Sequence, residues 1–484
     1  MKSRTHKARQ WLLVLSAASL FMVACDGSRS SNASGIGDFQ NNGPASGATP
    51  RAICGPGALP ESGMQGRVSQ ADHNSGRAAL GFKCNTELVG KYIVPNTIGT
   101  VGGFKVERYV DSAGRECAYY DSTLLFPTNI LDANAGVNVL DMSDPANPVL
   151  TSRLITPAML SPHESLVVSQ QAGVLAAVLG NPAFYPGVVD VYDLSSDCRY
   201  PQLMSSAPVG FLGHESGLAP DGKTFYSASP GTPTLTAVDI TTPLLPLPLW
   251  TGNYTSHGLS ISNDGNRAYL ASGNDNGVLI LDVSEIQSRK PNPTVREIGK
   301  VSWPNKTIPQ NAIPFTRDGK PYLMEIDEYS ADGSGGIVGV HGETVGAGRI
   351  IDISDETNPV VISNLRLEVH EPENRAAIAA DPGANNPIGG YAGHYCNIPT
   401  RVNPDIVACS MILSGLRVFD IRDPFNPREI AYYNAPVLPR IITVPAPASN
   451  WAMSSPSFNS QRKEIWYTDG FSGFYVVRLT NGVW

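Results

Sequence analysis

Residues Gly415 to Pro427 read GLRVFDIRDPFNP: a glycine, a short apolar strand, an aspartate, then a turn containing proline. The same arrangement recurs along the chain. It reads GVNVLDMSDPANP from Gly136, GVVDVYDLSSDCRYP from Gly187, TLTAVDITTP from Thr234, GVLILDVSE from Gly277 and GRIIDISDETNP from Gly348. A degenerate copy, GFYVVRLTNG from Gly473, has Arg478 where the aspartate belongs. Before each copy lies a hairpin of two further strands, most plainly His257 to Ser272 with Asn263-Asp264-Gly265 at its turn. Asp-Gly pairs supply the positive backbone dihedral that a tight hairpin needs. After each aspartate turn a fourth strand follows, such as Pro148 to Leu154 or Arg428 to Tyr433. Four antiparallel strands in a repeat of about 45 residues make the blade of a β-propeller.

The strings GVLILDVS, GVNVLDMSDPANP and GLRVFDIRDPFNP resemble the LVIVD repeat of bacterial surface and periplasmic proteins. The resemblance covers roughly residues 100 to 480. It implies a propeller but no particular activity, because that family has no single one. The expected fold is therefore all-β, a seven-bladed β-propeller, with six or eight blades as the alternatives. Blades begin near Gly103, His163, His214, His257, Asn311, His394 and Trp451. The seventh runs out of chain after three strands. Its fourth is expected from the N-terminal side, Glu87 to Val94, so that an N-terminal strand closes the last blade.

Composition agrees with this architecture. Only 16% of the residues are charged and 42% are hydrophobic, with 47 Gly and 39 Pro, which suits many turns and short strands. The chain opens with Lys2, Arg4, Lys7 and Arg9, then an apolar run from Trp11 to Ala24 that is too short to span a bilayer comfortably. The run ends Met22-Val23-Ala24-Cys25, which resembles a bacterial lipobox. That resemblance implies a signal peptide over 1–24 and a lipidated Cys25 as the only attachment to a membrane. Residues 25–52, rich in Ser, Gly, Asn and Ala, are expected to be a flexible tether. Residues 53–86 form an N-terminal extension, and 87–484 the propeller. The expected location is the bacterial cell envelope, facing the periplasm or the cell surface. The whole chain carries a net charge of −8, and losing the basic signal makes the exported part more acidic still. Such a surface excludes nucleic acid as a partner.

Six cysteines remain beside Cys25: Cys54, Cys84, Cys117, Cys198, Cys396 and Cys409. An even remainder in an exported protein points to disulfides. Cys396 and Cys409 flank the turn Arg401 to Pro404 and can face each other across one hairpin. The other pairings are not readable.

Antiparallel connectivity puts the start of each inner strand, the second-to-third loop and the link between blades on one face of the disk. Four of the eight histidines fall at the start of an inner strand: His163, His214, His257 and His394. The equivalent positions in two other blades lie near Asn311 and Asn450. Inner strands ring the central channel, so four imidazoles there can hold a transition metal such as Fe, Cu or Zn. The arrangement resembles that of carotenoid-cleaving dioxygenases, whose propeller offers four histidines to an iron, although no other motif of that family is present. The competing reading makes each imidazole a hydrogen-bonding partner of the neighbouring blade. Glu164 and Glu215 follow their histidines and are expected to act around them, as outer partners or inter-blade acceptors.

Two insertions share the histidine face. Asp327 to Ala347 lies in blade five, and Glu368 to Tyr391 links blades five and six; they carry His341, His370, Glu371, Glu373 and the acidic group Glu325, Asp327 and Glu328. Long loops on a rigid scaffold often carry function. Glu164, Glu215, Asn311 and Glu325 are accordingly the ligand-binding candidates. The repeated aspartates lack the spacing of a calcium loop and are read as turn caps. No nucleophile elbow, phosphate loop, dinucleotide fingerprint or Cys-x-x-Cys is present. The function expected first is a binding scaffold for an envelope protein or small ligand; the alternative is a metal-dependent enzyme, an oxidoreductase, built on the four histidines.

Overall fold

Each repeated strand becomes the third strand of a four-stranded antiparallel sheet, and seven such sheets form the propeller. The computed structural model describes residues 47–95, 100–122, 134–181, 185–332, 337–338, 344–386, 389–438 and 450–484. The signal segment, Cys25 and His341 lie outside the described residues. Blade one runs from Val106–Val110 to Val149–Leu154, blade four from Leu259–Ile261 to Arg296–Ser302, and blade six from Tyr395–Asn397 to Arg428–Asn434.

The repeat aspartates do local work. Asp141, Asp239, Asp282, Asp352 and Asp420 each accept a hydrogen bond from the backbone N–H two residues on, at 2.8–3.0 Å. Asp193 does the same at 3.1 Å. The side chain thus fixes the turn into the outer strand. The pairing of third and fourth strands shifts register once in every blade, which twists the outer strand.

Ring closure follows the expected route. Thr86–Tyr92 pairs antiparallel along Gly473–Leu479, with Thr86 opposite Leu479 and Tyr92 opposite Phe474. This strand carries the same register shift, between Leu88 and Gly90, as the fourth strands of the other blades. It brings blades seven and one together over a core of Val94, Val106, Tyr120, Trp466 and Phe474. Burying each of these side chains contributes on the order of 1.5–3 kcal/mol, so the two ends of the chain are held by packing as well as by the strand ladder.

The N-terminal extension is more than a leader to that strand. Phe82–Cys84 pairs with the outer strand of blade six as a fifth strand. Behind it the Arg417 guanidinium, fully buried, bonds Glu61 from the extension and Glu429 at 3.0 Å. Fastening begins within the segment expected to be tether. Thr49 N–H donates to the Arg366 carbonyl at 2.8 Å, and Arg51 pairs with Glu368.

All six described cysteines are oxidised in pairs: Cys54–Cys84, Cys117–Cys198 and Cys396–Cys409. The last is the expected pair, and its residues stand directly opposite in one hairpin. Cys117–Cys198 ties blade one to blade two, and Cys54–Cys84 ties the extension to itself. Among the described residues no helix is long and apolar enough to cross a membrane.

Candidate metal centre

The four histidines converge. The His163 and His214 rings lie 4.7 Å apart between centroids, and His214 and His257 lie 4.6 Å apart. His394 joins them through a carboxylate, its Nε2 lying 3.3 Å from Glu164 Oε1. All four are buried, His394 completely. Each sits just before or at the start of the inner strand of blades two, three, four and six, on the face that connectivity assigned to them.

Glu164 is the hub. Its Oε2 lies 3.1 Å from His214 Nε2 and 3.6 Å from His257 Nδ1, and its Oε1 lies 3.7 Å from His163 Nε2. Three groups of possible metal ligands have their atoms within 4.8 Å of one another, and Glu164 belongs to each. They are His163, Glu164, His214; Glu164, Glu215, His257; and Glu164, Glu328, His394. Glu328, at the end of the second strand of blade five, places Oε1 2.9 Å from His257 Nε2 and Oε2 3.3 Å from His394 Nε2.

The backbone explains how Glu164 reaches the centre. His163 has φ +54°, a left-handed conformation uncommon for a residue with a side chain. The turn Pro162 to Ser165 is closed by Ser165 N–H donating to the Pro162 carbonyl at 2.9 Å. Such a turn abandons strand alternation, so His163 and Glu164 both face the cluster. Gly180 lets the turn approach; a Cβ there would lie 2.4 Å from that of His163. Glu164 then bridges to Glu215 of blade three through a parallel backbone contact.

Around this centre stand groups that orient it. His394 Nδ1 lies 2.6 Å from the Met453 carbonyl of blade seven, so it donates there and directs Nε2 at the two carboxylates. Lys105 of blade one lies 2.8 Å from Glu215 Oε1 and above the Tyr395 ring. Asn311 of blade five donates its amide to the same carboxylate. Phe104 packs against the His163 ring at 4.3 Å. Every blade therefore contributes a group to the centre or to its support.

The charges are tightly coupled. Burial alone would raise the Glu164 carboxyl, but the imidazoles of His163, His257 and His214 hold it well below its ordinary range. Glu328, likewise opposed by burial, is drawn down to about 2 by His257 and His394. Burial would discharge His394, yet Glu164 and Glu328 hold it up at about 9. His257 is raised in the same way, chiefly by Glu328 and Glu164 against burial. The carboxylates favour protons on the His257 and His394 imidazoles, a balance of charge inside the cluster. A cation entering the cluster would displace those protons and take over that balance.

Not every candidate joins the centre. Glu325 is fully buried but bonds Arg349, which also holds Asp327 and lies over the Trp303 ring. Burial and the neighbouring Asp327 push the Glu325 carboxyl upward in spite of that arginine. His370, in the link between blades five and six, accepts from Leu367 N–H and lies 2.7 Å from the Tyr391 carbonyl. Burial, helped by Arg366, lowers it to about 3, so it is a neutral structural imidazole. Glu371 pairs with Arg366. Of the blade-five insertion group, Glu328 alone reaches the histidines among the described residues.

Residues 130–156 match the model of the LVIVD repeat, which supports the LVIVD-repeat propeller family. No curated protein matches the sequence. Among solved structures, the fold is similar to hydrazine synthase of Kuenenia stuttgartiensis, with 14% identity over 82% of this chain and 99% of that one, TM-score 0.48. It is similar to the periplasmic gluconolactonase of Pseudomonas aeruginosa, with 13% identity over 72% and 96%, TM-score 0.46. A candidate 6-phosphogluconolactonase of Bacteroides fragilis gives 12% identity over 81% and 92%, TM-score 0.46.

Proposed function

We propose that this protein is an envelope-anchored metal-binding propeller, holding a transition metal in the histidine–glutamate centre and presenting it to a small ligand on the insertion-bearing face. The observation that supports this most is the meeting of His163, His214, His257, His394, Glu164 and Glu328, drawn from five blades and buried together. His394 keeps one backbone partner, the Met453 carbonyl, but its Nε2 and ring nitrogens of His163, His214 and His257 face carboxylates or one another. Imidazole with carboxylate suits Fe, Zn or Mn, and imidazole also suits Cu. A bound metal supplies Lewis-acid or redox chemistry to whatever reaches it.

Location rests on the lipobox-like Cys25 and on three disulfides, which persist in oxidising compartments. The test is metal content of the exported chain, purified without chelator or metal-affinity tag. The control changes all four histidines to Ala and is first checked for its far-UV spectrum. At least one metal per chain, lost in the control, is the expected result. No metal in either protein, even after Fe, Cu and Zn are supplied in turn, would overturn the proposal and leave a scaffold that binds an envelope protein.

A further inference from the structure

We infer that the centre takes a single divalent ion, held by Glu164 Oε2, Glu215 Oε2 and His257 Nδ1 where blades two, three and four meet; this rests on the metal-binding reading above. Other atoms of these residues already have a use. Glu215 Oε1 receives Lys105 Nζ at 2.8 Å and the Asn311 amide. His257 Nε2 lies 2.9 Å from Glu328 Oε1. What remains is Glu164 Oε2, Glu215 Oε2 and His257 Nδ1, all buried and all without a hydrogen bond. His214 Nε2 comes to 3.1 Å from Glu164 Oε2, but not in hydrogen-bonding geometry. Buried polar atoms rarely go unpartnered, so three together call for a ligand.

The three atoms are placed to share one. His257 Nδ1 lies 3.6 Å from Glu164 Oε2 and 3.9 Å from Glu215 Oε2. The ligand atoms these residues offer all lie within 4.8 Å of one another. Of the three groups of possible ligands among the described residues, this is the one in which every member offers an unpartnered atom. Ligands about 2.0–2.2 Å from one ion stand roughly 3.3–3.6 Å apart in tetrahedral geometry, and the two measured separations are at or slightly above that spacing. Gly258 makes room, since a Cβ there would lie 1.8 Å from Glu215 Oε2. A histidine that ligates through one nitrogen commonly donates the other N–H to a carboxylate, and Glu328 is that acceptor for His257.

Charge sets the number of ions. Glu164, Glu215 and Glu328 bring three negative charges to the buried cluster, and Lys105 brings one positive. One divalent ion makes that set neutral with every imidazole neutral. A second would leave two positive charges buried without compensation. One imidazole with two carboxylates is a donor set that suits Zn, Fe or Mn.

The test loads the full exported chain, held in detergent, with Zn2+, counts the bound zinc and reads its ligands by X-ray absorption. One zinc per chain, with one imidazole and otherwise oxygen donors, is the expected result. Glu215→Gln, checked for its far-UV spectrum, should bind zinc at least about a hundredfold more weakly. Two zinc ions per chain, two or more imidazoles on the zinc, or a folded Glu215→Gln protein that binds as the wild type does would overturn the assignment and leave the metal-binding reading intact. No zinc on the wild-type chain would overturn it as well, and no Fe or Cu either would remove both.

Discussion

Changing Glu164 to Gln keeps the volume and polarity of the hub but removes its charge and one acceptor oxygen. Saturation by a metal that binds only the folded chain stabilises it by about 2.7 kcal/mol at one hundred times the dissociation constant. For the about 400 described residues, the unfolding entropy near the midpoint is about 0.8 kcal/mol per degree, so the metal should raise Tm by about 3 °C. Loss of a ligand should weaken binding at least about a hundredfold, since even outer partners of ligands cost ten- to a hundredfold. At the same metal concentration the stabilisation then falls to about 0.4 kcal/mol, a shift below about 1 °C. The assay is differential scanning calorimetry with Zn2+ and with a chelator for each protein, so that any cost of the substitution to the fold cancels in the difference. Glu325→Gln is the matched control, because Glu325 is equally buried in the same half of the disk but bonds Arg349. It should keep the full metal shift. A Glu164→Gln protein that also keeps it, or a Glu325→Gln protein that loses it, would refute the placement of Glu164 at the centre.

The disulfide Cys117–Cys198 spans 81 residues, and chain-entropy arithmetic for such a loop gives about 4.5 kcal/mol. Replacing both cysteines by Ser should lower the urea midpoint accordingly; a loss below about 1 kcal/mol would show that blade packing alone fixes this edge. Asp282 is drawn down to about 2 because Ser284, Arg296 and Arg267 outweigh its burial. A depressed folded pKa stabilises above the unfolded value and is lost as pH falls from about 4 through 2; with the arginines facing solvent this is about 1 kcal/mol. Asp282→Asn should therefore cost about that much at neutral pH and flatten the acid limb of the stability curve; an unchanged limb would contradict the charge pairing of Asp282 with Arg296 and Arg267. Gly90 sits in the closing strand, where a Cβ would come within 2.0 Å of the Pro145 carbonyl oxygen. Gly90→Val should cost about 1–3 kcal/mol and open the closing strand to proteolysis; wild-type resistance would mean that the ring closes by other contacts.

The repeat was legible because its information is local. Strand, aspartate and turn fit within a dozen residues, and each copy can be read without knowing where the others lie. Closure was legible by counting, since a seventh blade short of one strand needs Thr86–Tyr92. The fifth strand, Phe82–Cys84, had no repeat to mark it and depends on blade six being already formed. The centre divides in the same way. Four histidines at equivalent positions announced themselves, but the hub did not. Strand alternation turns Glu164 away from His163, and only the left-handed backbone at His163 brings it round. Nothing in Pro162-His163-Glu164-Ser165 as a string requires that conformation; it follows from Gly180 admitting the turn against blade two. Glu328 was harder again, because the residues that give it meaning, His257 and His394, belong to the blades on either side of its own. A centre to which each of five blades adds one or two candidate ligands leaves no spacing motif in the chain. Its signature is the repeat itself, interrupted at the same place by groups that a purely structural inner strand has no use for.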